Sequence, residues 1–154
     1  REIKVKEDLL TEKLAKTAGT NSDARAILSV PVHIEKIAVS IERVMDNIRM
    51  KIQEGILFSD KAIQESARMI AKGKDVLKKA GEAMVTGSAS TAETVRNESD
   101  SMIKMSNDYA TAHEERLVTG ECAPKSSSTY LCMLYAFEDM AAHTRDALKK
   151  VTGK

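Results

Sequence analysis

Two carboxylates one helical turn apart are the residues of this chain best placed to do chemistry. Glu42 and Asp46 are four positions apart, so a helix presents both on one face, with Glu35 on the same stripe. Like charges at this spacing repel each other on a bare helix. A divalent or ferric ion held with further carboxylates would turn that repulsion into binding. The alternative is a solvated acidic face that neighbouring Arg and Lys side chains neutralise.

Further carboxylates would have to come from a facing helix, as in carboxylate-bridged bundles. Glu98 and Asp100 are the best candidates, because Glu98 falls between Val95 and Met102 on the apolar seam of its helix. An unpaired carboxylate is costly at such a position, which favours a ligand role. The ordinary explanation of Glu98 is a salt bridge at the end of a helical bundle.

A weak internal repeat adds Glu138 to the candidate ligands. Residues 37–48 (IAVSIERVMDNI) align with residues 133–144 (MLYAFEDMAAHT), which sets Glu138 against Glu42. Ala142 stands where the first copy has Asp46, so we expect metal to bind better at the first copy. His143 could also be a ligand, although we expect it to donate to a neighbouring acid instead.

Composition narrows the class of protein. The 154 residues fit one domain, and a formal net charge of +1 offers no basic field for nucleic acid. The sequence has no Trp, three Tyr and two Phe, so base-stacking surfaces are not expected. No apolar stretch approaches the ~20 residues that span a bilayer. Cys122 and Cys132 are interpreted as reduced thiols, and the eight Met residues as core filler.

Helical periodicity runs through the chain and predicts an all-α protein, an elongated antiparallel bundle of four long helices and a short one. Residues 1–20 are interpreted as a connecting helix or linker, and residues 21–154 as the bundle. The second helix is predicted to reach about residue 58, with Pro31 either kinking it or marking its first turn. Four seam residues are predicted to be buried: Ile41, Val44, Phe137 and Ala141.

Residues 113–143 carry the most specific pattern. Gly120 suits the left-handed position after a helix, and Pro124 suits the first turn of the next one. The segment resembles the C-terminal part of the PhoU family, especially the PhoU-like domains of bacterial sodium/phosphate cotransporters. Their pattern is close to H-x-x-R-L-x-x-G-E-C-x-P, then Y/F-L-x-x-L-x-x-L/F-E-R-I-x-D-H. Asp139 and Ala142 depart from it, standing where the family has Arg and an acid. The matching residues are His113, Arg116, Leu117, Gly120, Glu121, Cys122, Pro124, Tyr130, Leu131, Leu134, Phe137, Glu138 and His143.

This resemblance implies a PhoU-like bundle of two related helical units, the first incomplete, each with an E/D-x-x-x-D motif that supplies carboxylates to surface metal sites. It implies a non-enzymatic regulatory domain in phosphate uptake or phosphate signalling, which docks by helix faces and is conditioned by metal. The partner would be a phosphate transporter or its membrane domain. The location would be cytoplasmic, at the inner face of the membrane through a preceding domain or partner. The metal ligands predicted from spacing and resemblance together are Glu42, Asp46, Glu98, Asp100 and Glu138.

Two other functions remain open. A carboxylate-bridged metal-binding bundle would need inward Glu-x-x-His pairs on facing helices, and the sequence has none. A purely structural oligomerisation bundle, such as a homodimer, fits the periodicity as well. The sequence has no Gly-rich phosphate loop, and Ser126, Ser127 and Ser128 lack a readable His–acid relay. We therefore predict that the chain is not an enzyme.

Overall fold

The structure, a computed structural model, describes residues 2–152 as six helices. No strand occurs within these residues, so the prediction of an all-α bundle is confirmed, with one additional short helix. None of the helices in this range combines the length and the apolar composition needed to cross a bilayer. The helices are α1 (Glu2–Thr17), α2 (Ser22–Ala26), α3 (Val30–Gln53), α4 (Asp60–Thr86), α5 (Ala89–Val118) and α6 (Pro124–Thr152).

Helix α6 is the central element of the bundle. It packs against α3, α4 and α5, and α4 also packs against α5. Helix α1 lies on α3 and contacts α2, so residues 2–17 reach the bundle through α3. Helices α3 and α4 make little direct contact with each other, which leaves α6 as the element they share. One face of α6 is buried at Tyr130, Leu134, Phe137, Ala141, Thr144 and Leu148.

The helices begin where local chemistry favours it. Side-chain oxygens of Asn21, Ser59 and Ser88 accept hydrogen bonds from the first backbone N–H groups of α2, α4 and α5. Pro31 lies in the first turn of α3, where its missing N–H removes no helical hydrogen bond. Of the two interpretations of Pro31, the structure therefore shows the start of a helix rather than a kink.

Each reversal between long helices contains a glycine with a positive φ angle. Helix α3 ends at Gln53 and the chain turns at Gly55 (φ +60°), so the predicted end near residue 58 is wrong. Gly87 (φ +66°) follows α4 in the same conformation. The turn before α6 is as predicted: Gly120 has φ +78°, and the N–H groups of residues 121 and 122 both donate to the carbonyl of Arg116.

A buried carboxylate joins α4, α5 and α6. Glu65 on α4 is 1% exposed and accepts two hydrogen bonds from the guanidinium of Arg116 on α5, at 3.0 and 2.8 Å. The hydroxyl of Tyr130 on α6 donates to Glu65 Oε2 at 2.5 Å. Both carboxylate oxygens are thereby paired, which a buried charge requires. Arg116 and Tyr130 belong to the pattern of residues 113–143, whereas Glu65 was not anticipated from the sequence.

The pKa values of this network follow from burial and pairing. Burial raises the pKa of Glu65, but hydrogen bonds from Arg116 and Tyr130 outweigh it, and the net pKa lies below its ordinary value. Burial and the bond to Glu65 raise the pKa of Tyr130, and the bonds to Glu65 raise the pKa of Arg116. At neutral pH the network therefore holds one carboxylate, one guanidinium and a neutral phenol.

Glu65→Ala should destabilise the protein strongly, because it leaves the half-buried Arg116 guanidinium without its partner. Removing one member of a buried pair typically costs about 3–5 kcal/mol. Glu82→Ala, an exposed position on the same helix, is the matched control and should cost less than about 0.5 kcal/mol. Urea unfolding followed by circular dichroism measures both. Equal stability of the two variants would show that the Glu65 network does not hold the bundle together.

The Glu65 network should also make stability depend on acid. Because the folded pKa of Glu65 is depressed, its stabilising contribution is present above the unfolded pKa of about 4.3 and is lost as the pH falls through the folded value. Glu65→Gln has no such titration. The difference in unfolding free energy between wild type and Glu65→Gln should therefore be largest near neutral pH and shrink in acid. A difference that stays constant down to about pH 3 would contradict the assignment.

Candidate functional site

The predicted acidic stripe on α3 is exposed to solvent. Asp46 Oδ1 accepts a hydrogen bond from Arg49 Nη1 at 2.8 Å, one turn along the same helix. Glu42 is exposed and, with Glu35, borders a shallow depression between α1 and α3. Exposed ion pairs such as Asp46–Arg49 contribute only about 0–1 kcal/mol. The stripe therefore has the form of a solvated acidic face that a basic side chain partly neutralises, which was the alternative to a metal site. Metal binding at the stripe stays a prediction.

The other predicted ligands do not converge on the acidic stripe. Glu98 Oε1 accepts a hydrogen bond from Lys79 at 2.6 Å. This is a salt bridge, as in the ordinary explanation given for Glu98 above. Asp100 Oδ1 accepts one from Arg145 at 2.7 Å, and Glu138 lies half-buried on α6. Within residues 2–152, none of the five predicted ligands belongs to a group of three His, Cys, Asp or Glu side chains close enough to share an ion.

One such group does exist within the described range, and it joins α3 to α6. His33 of α3 and His143 and Asp146 of α6 have ligand atoms that all lie within 4.8 Å of one another. The two imidazole Nδ1 atoms are 3.3 Å apart, and all three residues are half-buried. His143 thus contacts His33 rather than the acid we expected. No sequence pattern had indicated His33.

Burial favours the neutral form of both histidines. It is the main cause of the lowered pKa of His33, and repulsion from His143 adds to it. Burial likewise lowers the pKa of His143, with Lys36 contributing. A neutral imidazole carries a free ring-nitrogen lone pair, which is the form that binds a metal ion.

A buried serine–histidine pair has the distance of a nucleophile and its base. Ser127 Oγ lies 2.7 Å from His113 Nε2. Within residues 2–152, however, His113 Nδ1 has no hydrogen-bond partner that could orient the ring, and both side chains are buried. The His113 ring packs on Tyr130 with centroids 4.8 Å apart, and burial lowers the pKa of His113. The arrangement fits internal packing beside the Glu65 network better than covalent catalysis.

An apolar groove runs between α3 and α4, over α6. It encloses about 350 Å³, and Phe137 and Met140 of α6 contribute to its lining. It continues past Ile48 and Ile70 into a second recess of about 310 Å³ that contains Phe58. Its walls are the apolar residues Ile41, Val44, Met45 and Ile48 of α3 and Ile63, Ile70 and Leu77 of α4.

The groove corrects one predicted core position. Ile41 is 39% exposed, so its predicted burial is wrong, whereas Val44, Phe137 and Ala141 are buried as predicted. The physical reason is that α4 does not close over α3, so one flank of the α3 seam has no neighbouring helix in the described part of the chain. Ile70 on the opposite wall is 46% exposed for the same reason.

The charged residues in the lining of the groove are both basic. Lys74 lies on the α4 wall, and Lys51 lies at the other end, with its ammonium 5.1 Å from the centre of the Phe58 ring. Among residues 2–152, no acidic side chain lines either recess. The groove therefore suits an apolar surface that carries negative charge at its edges.

Comparison with family models, with curated proteins and with solved structures returns no match for this chain. The resemblance to the PhoU family therefore stays a prediction from the sequence, chiefly from residues 113–143. Within that segment, His113, Arg116 and Tyr130 are part of the buried packing around Glu65. These residues serve the fold.

Two aspartate substitutions, three residues apart on α3, test the placement of the groove. Val44→Asp buries a carboxylate and should cost about 3 kcal/mol or more. Ile41→Asp places the carboxylate at the open flank and should cost about 1 kcal/mol. Thermal and urea unfolding of the two variants measures the difference. If Ile41→Asp were the more damaging of the two, α4 would have to cover α3 in solution.

Proposed function

We propose that this chain is a non-enzymatic regulatory domain in phosphate uptake or phosphate signalling, and that it docks on a membrane transporter. The observation that carries the docking part is the apolar groove between α3 and α4. Exposed Ile41, Met45, Ile63 and Ile70 share its walls, and a soluble protein rarely leaves so many large apolar side chains side by side without a partner.

The shape of the groove favours a helix as the docked element. Its two walls are helices and α6 lies beneath, so a third helix laid over Phe137 and Met140 would complete the packing around α6. From Ile41 to Lys51 the α3 wall extends about 15 Å, which is nearly three helical turns. The occupant we infer is an amphipathic helix of the transporter, with an apolar face and acidic residues opposite Lys51 and Lys74.

The phosphate part of the proposal comes from the PhoU likeness of residues 113–143. The all-α bundle and the turn at Gly120 agree with that likeness. No described feature selects phosphate chemistry by itself, so the transporter is proposed from the family's role. The resemblance also implies that a metal ion conditions docking. A metal bound at Asp46 would act on the groove through α3, because α3 carries both Asp46 and one wall of the groove.

Synthetic helices test the docking directly. A peptide of about 14 residues with Leu at helical spacing and Glu along both edges should bind the full chain, and the same peptide with Lys at its edges should bind more weakly. Ile70→Glu should abolish binding of the acidic peptide, because it places a carboxylate on the wall. Val85→Glu, an exposed apolar position on the same helix outside the groove lining, is the matched control. Fluorescence anisotropy measures the affinity of both peptides for wild type and of the acidic peptide for the two variants.

Equal affinity of both peptides, or binding that Ile70→Glu leaves unchanged, would remove the groove as the docking site. A second copy of the chain is the other candidate occupant. Light scattering of the purified protein would then show a dimer that Ile70→Glu dissociates, and the oligomerisation bundle would replace the regulatory domain as the function.

Uptake of radiolabelled phosphate by the native host tests the biological role. Cells that carry Ile70→Glu should lose regulation of uptake as fully as cells that lack the gene, whereas Val85→Glu cells should behave like wild type. Immunoblotting must show equal amounts of the two variants. Normal uptake in the Ile70→Glu cells, with binding of the acidic peptide lost in vitro, would keep the docking surface and reject the phosphate assignment.

A further inference from the structure

The cluster of His33, His143 and Asp146 has the donors of an open transition-metal site. Two imidazoles and one carboxylate form a common three-ligand set for zinc and related ions, which leaves a fourth position for water or another ligand. The set comes from two helices: His143 and Asp146 are one turn apart on α6, and His33 faces them from the first turn of α3.

The distance between the imidazoles fits a shared ion. Zinc binds imidazole nitrogen at about 2.0–2.1 Å, so two nitrogens at a tetrahedral angle are about 3.3 Å apart. His33 Nδ1 and His143 Nδ1 are 3.3 Å apart. Without an ion, one protonated Nδ1 can donate a hydrogen bond to the other at this distance. The same separation suits two ligands of one tetrahedral ion.

The Asp146 carboxylate has a long hydrogen bond to a neighbouring side chain. Arg145 Nε donates to Asp146 Oδ1 at 3.4 Å, between adjacent residues of α6. Lys36 and Lys150 also act on the histidines electrostatically, and Asp139 and Asp146 oppose them. Partial burial of the three donors limits competition from water without closing the site.

We propose that His33, His143 and Asp146 bind one divalent transition-metal ion of the zinc type. Two imidazole donors favour zinc and its neighbours over calcium or magnesium, which prefer all-oxygen sites. The site is separate from the predicted carboxylate ligands Glu42 and Asp46. Because His33 comes from α3 and the other two donors come from α6, the bound ion ties the start of α3 to the central helix.

Calorimetric titration of the full chain with zinc chloride tests the site. Wild type should bind one ion saturably. His33→Ala and His143→Ala should lose measurable binding, and Asp146→Asn should weaken it about tenfold or more, since an amide oxygen is a poorer ligand than a carboxylate. Asp46→Asn on the acidic stripe is the control and should leave the affinity unchanged.

Nitrogen-15 NMR of the histidine side chains identifies the ligand atoms. Zinc should shift the Nδ1 resonances of His33 and His143 and leave those of His113 in place. Circular dichroism checks that each variant is folded. Should an Ala variant fail to fold, Asp146→Asn and the wild-type Nδ1 shifts decide the matter. No saturable binding by wild type, binding that survives both His substitutions, or binding that disappears only in Asp46→Asn would each overturn the proposal.

Discussion

The carboxylate of Glu65 is the constraint on which the rest of the bundle depends. A charge with 1% exposure is tolerable only when its partners are in place, and those partners are Arg116 on α5 and Tyr130 on α6. Their positions fix how α4, α5 and α6 align along one another at the end where the chain reverses at Gly120. With α6 held in this way, its remaining surface presents Phe137 and Met140 to the groove between α3 and α4, and His143 to His33.

Sequence periodicity was most informative where a helix has neighbours on several sides. Phe137 and Ala141 are buried as predicted because α6 packs against α3, α4 and α5. The same reasoning failed for Ile41, because periodicity identifies the apolar face of a helix but not whether another helix covers all of it. Glu65 could not be foreseen either. It lies among polar residues of α4, and its partner Arg116 is 51 positions away.

The candidate sites show a similar division between local and distant information. Spacing placed Glu42 and Asp46 on one face of α3. The carboxylate of Asp46, however, accepts a hydrogen bond from a basic residue one turn away, and those of Glu98 and Asp100 accept hydrogen bonds from basic residues on other helices. His33 carries no motif and stands alone in the first turn of its helix. Its relation to His143 follows only from the antiparallel pairing of α3 with α6, which brings residues 110 positions apart into contact.

The limited contact between α3 and α4 also bears on how the molecule opens. Helices α4, α5 and α6 pack mutually and share the Glu65 network, whereas α3, with α1 on its far side, is held to them chiefly by α6. Separation of the first three helices from α6 would leave the Glu65 network intact, but it must break the α3–α6 packing, the most extensive helix pairing within residues 2–152. Amide hydrogens of α3 would then exchange with solvent earlier than those of α6. A ligand bound across the α3–α6 boundary would set the difference between the two exchange rates.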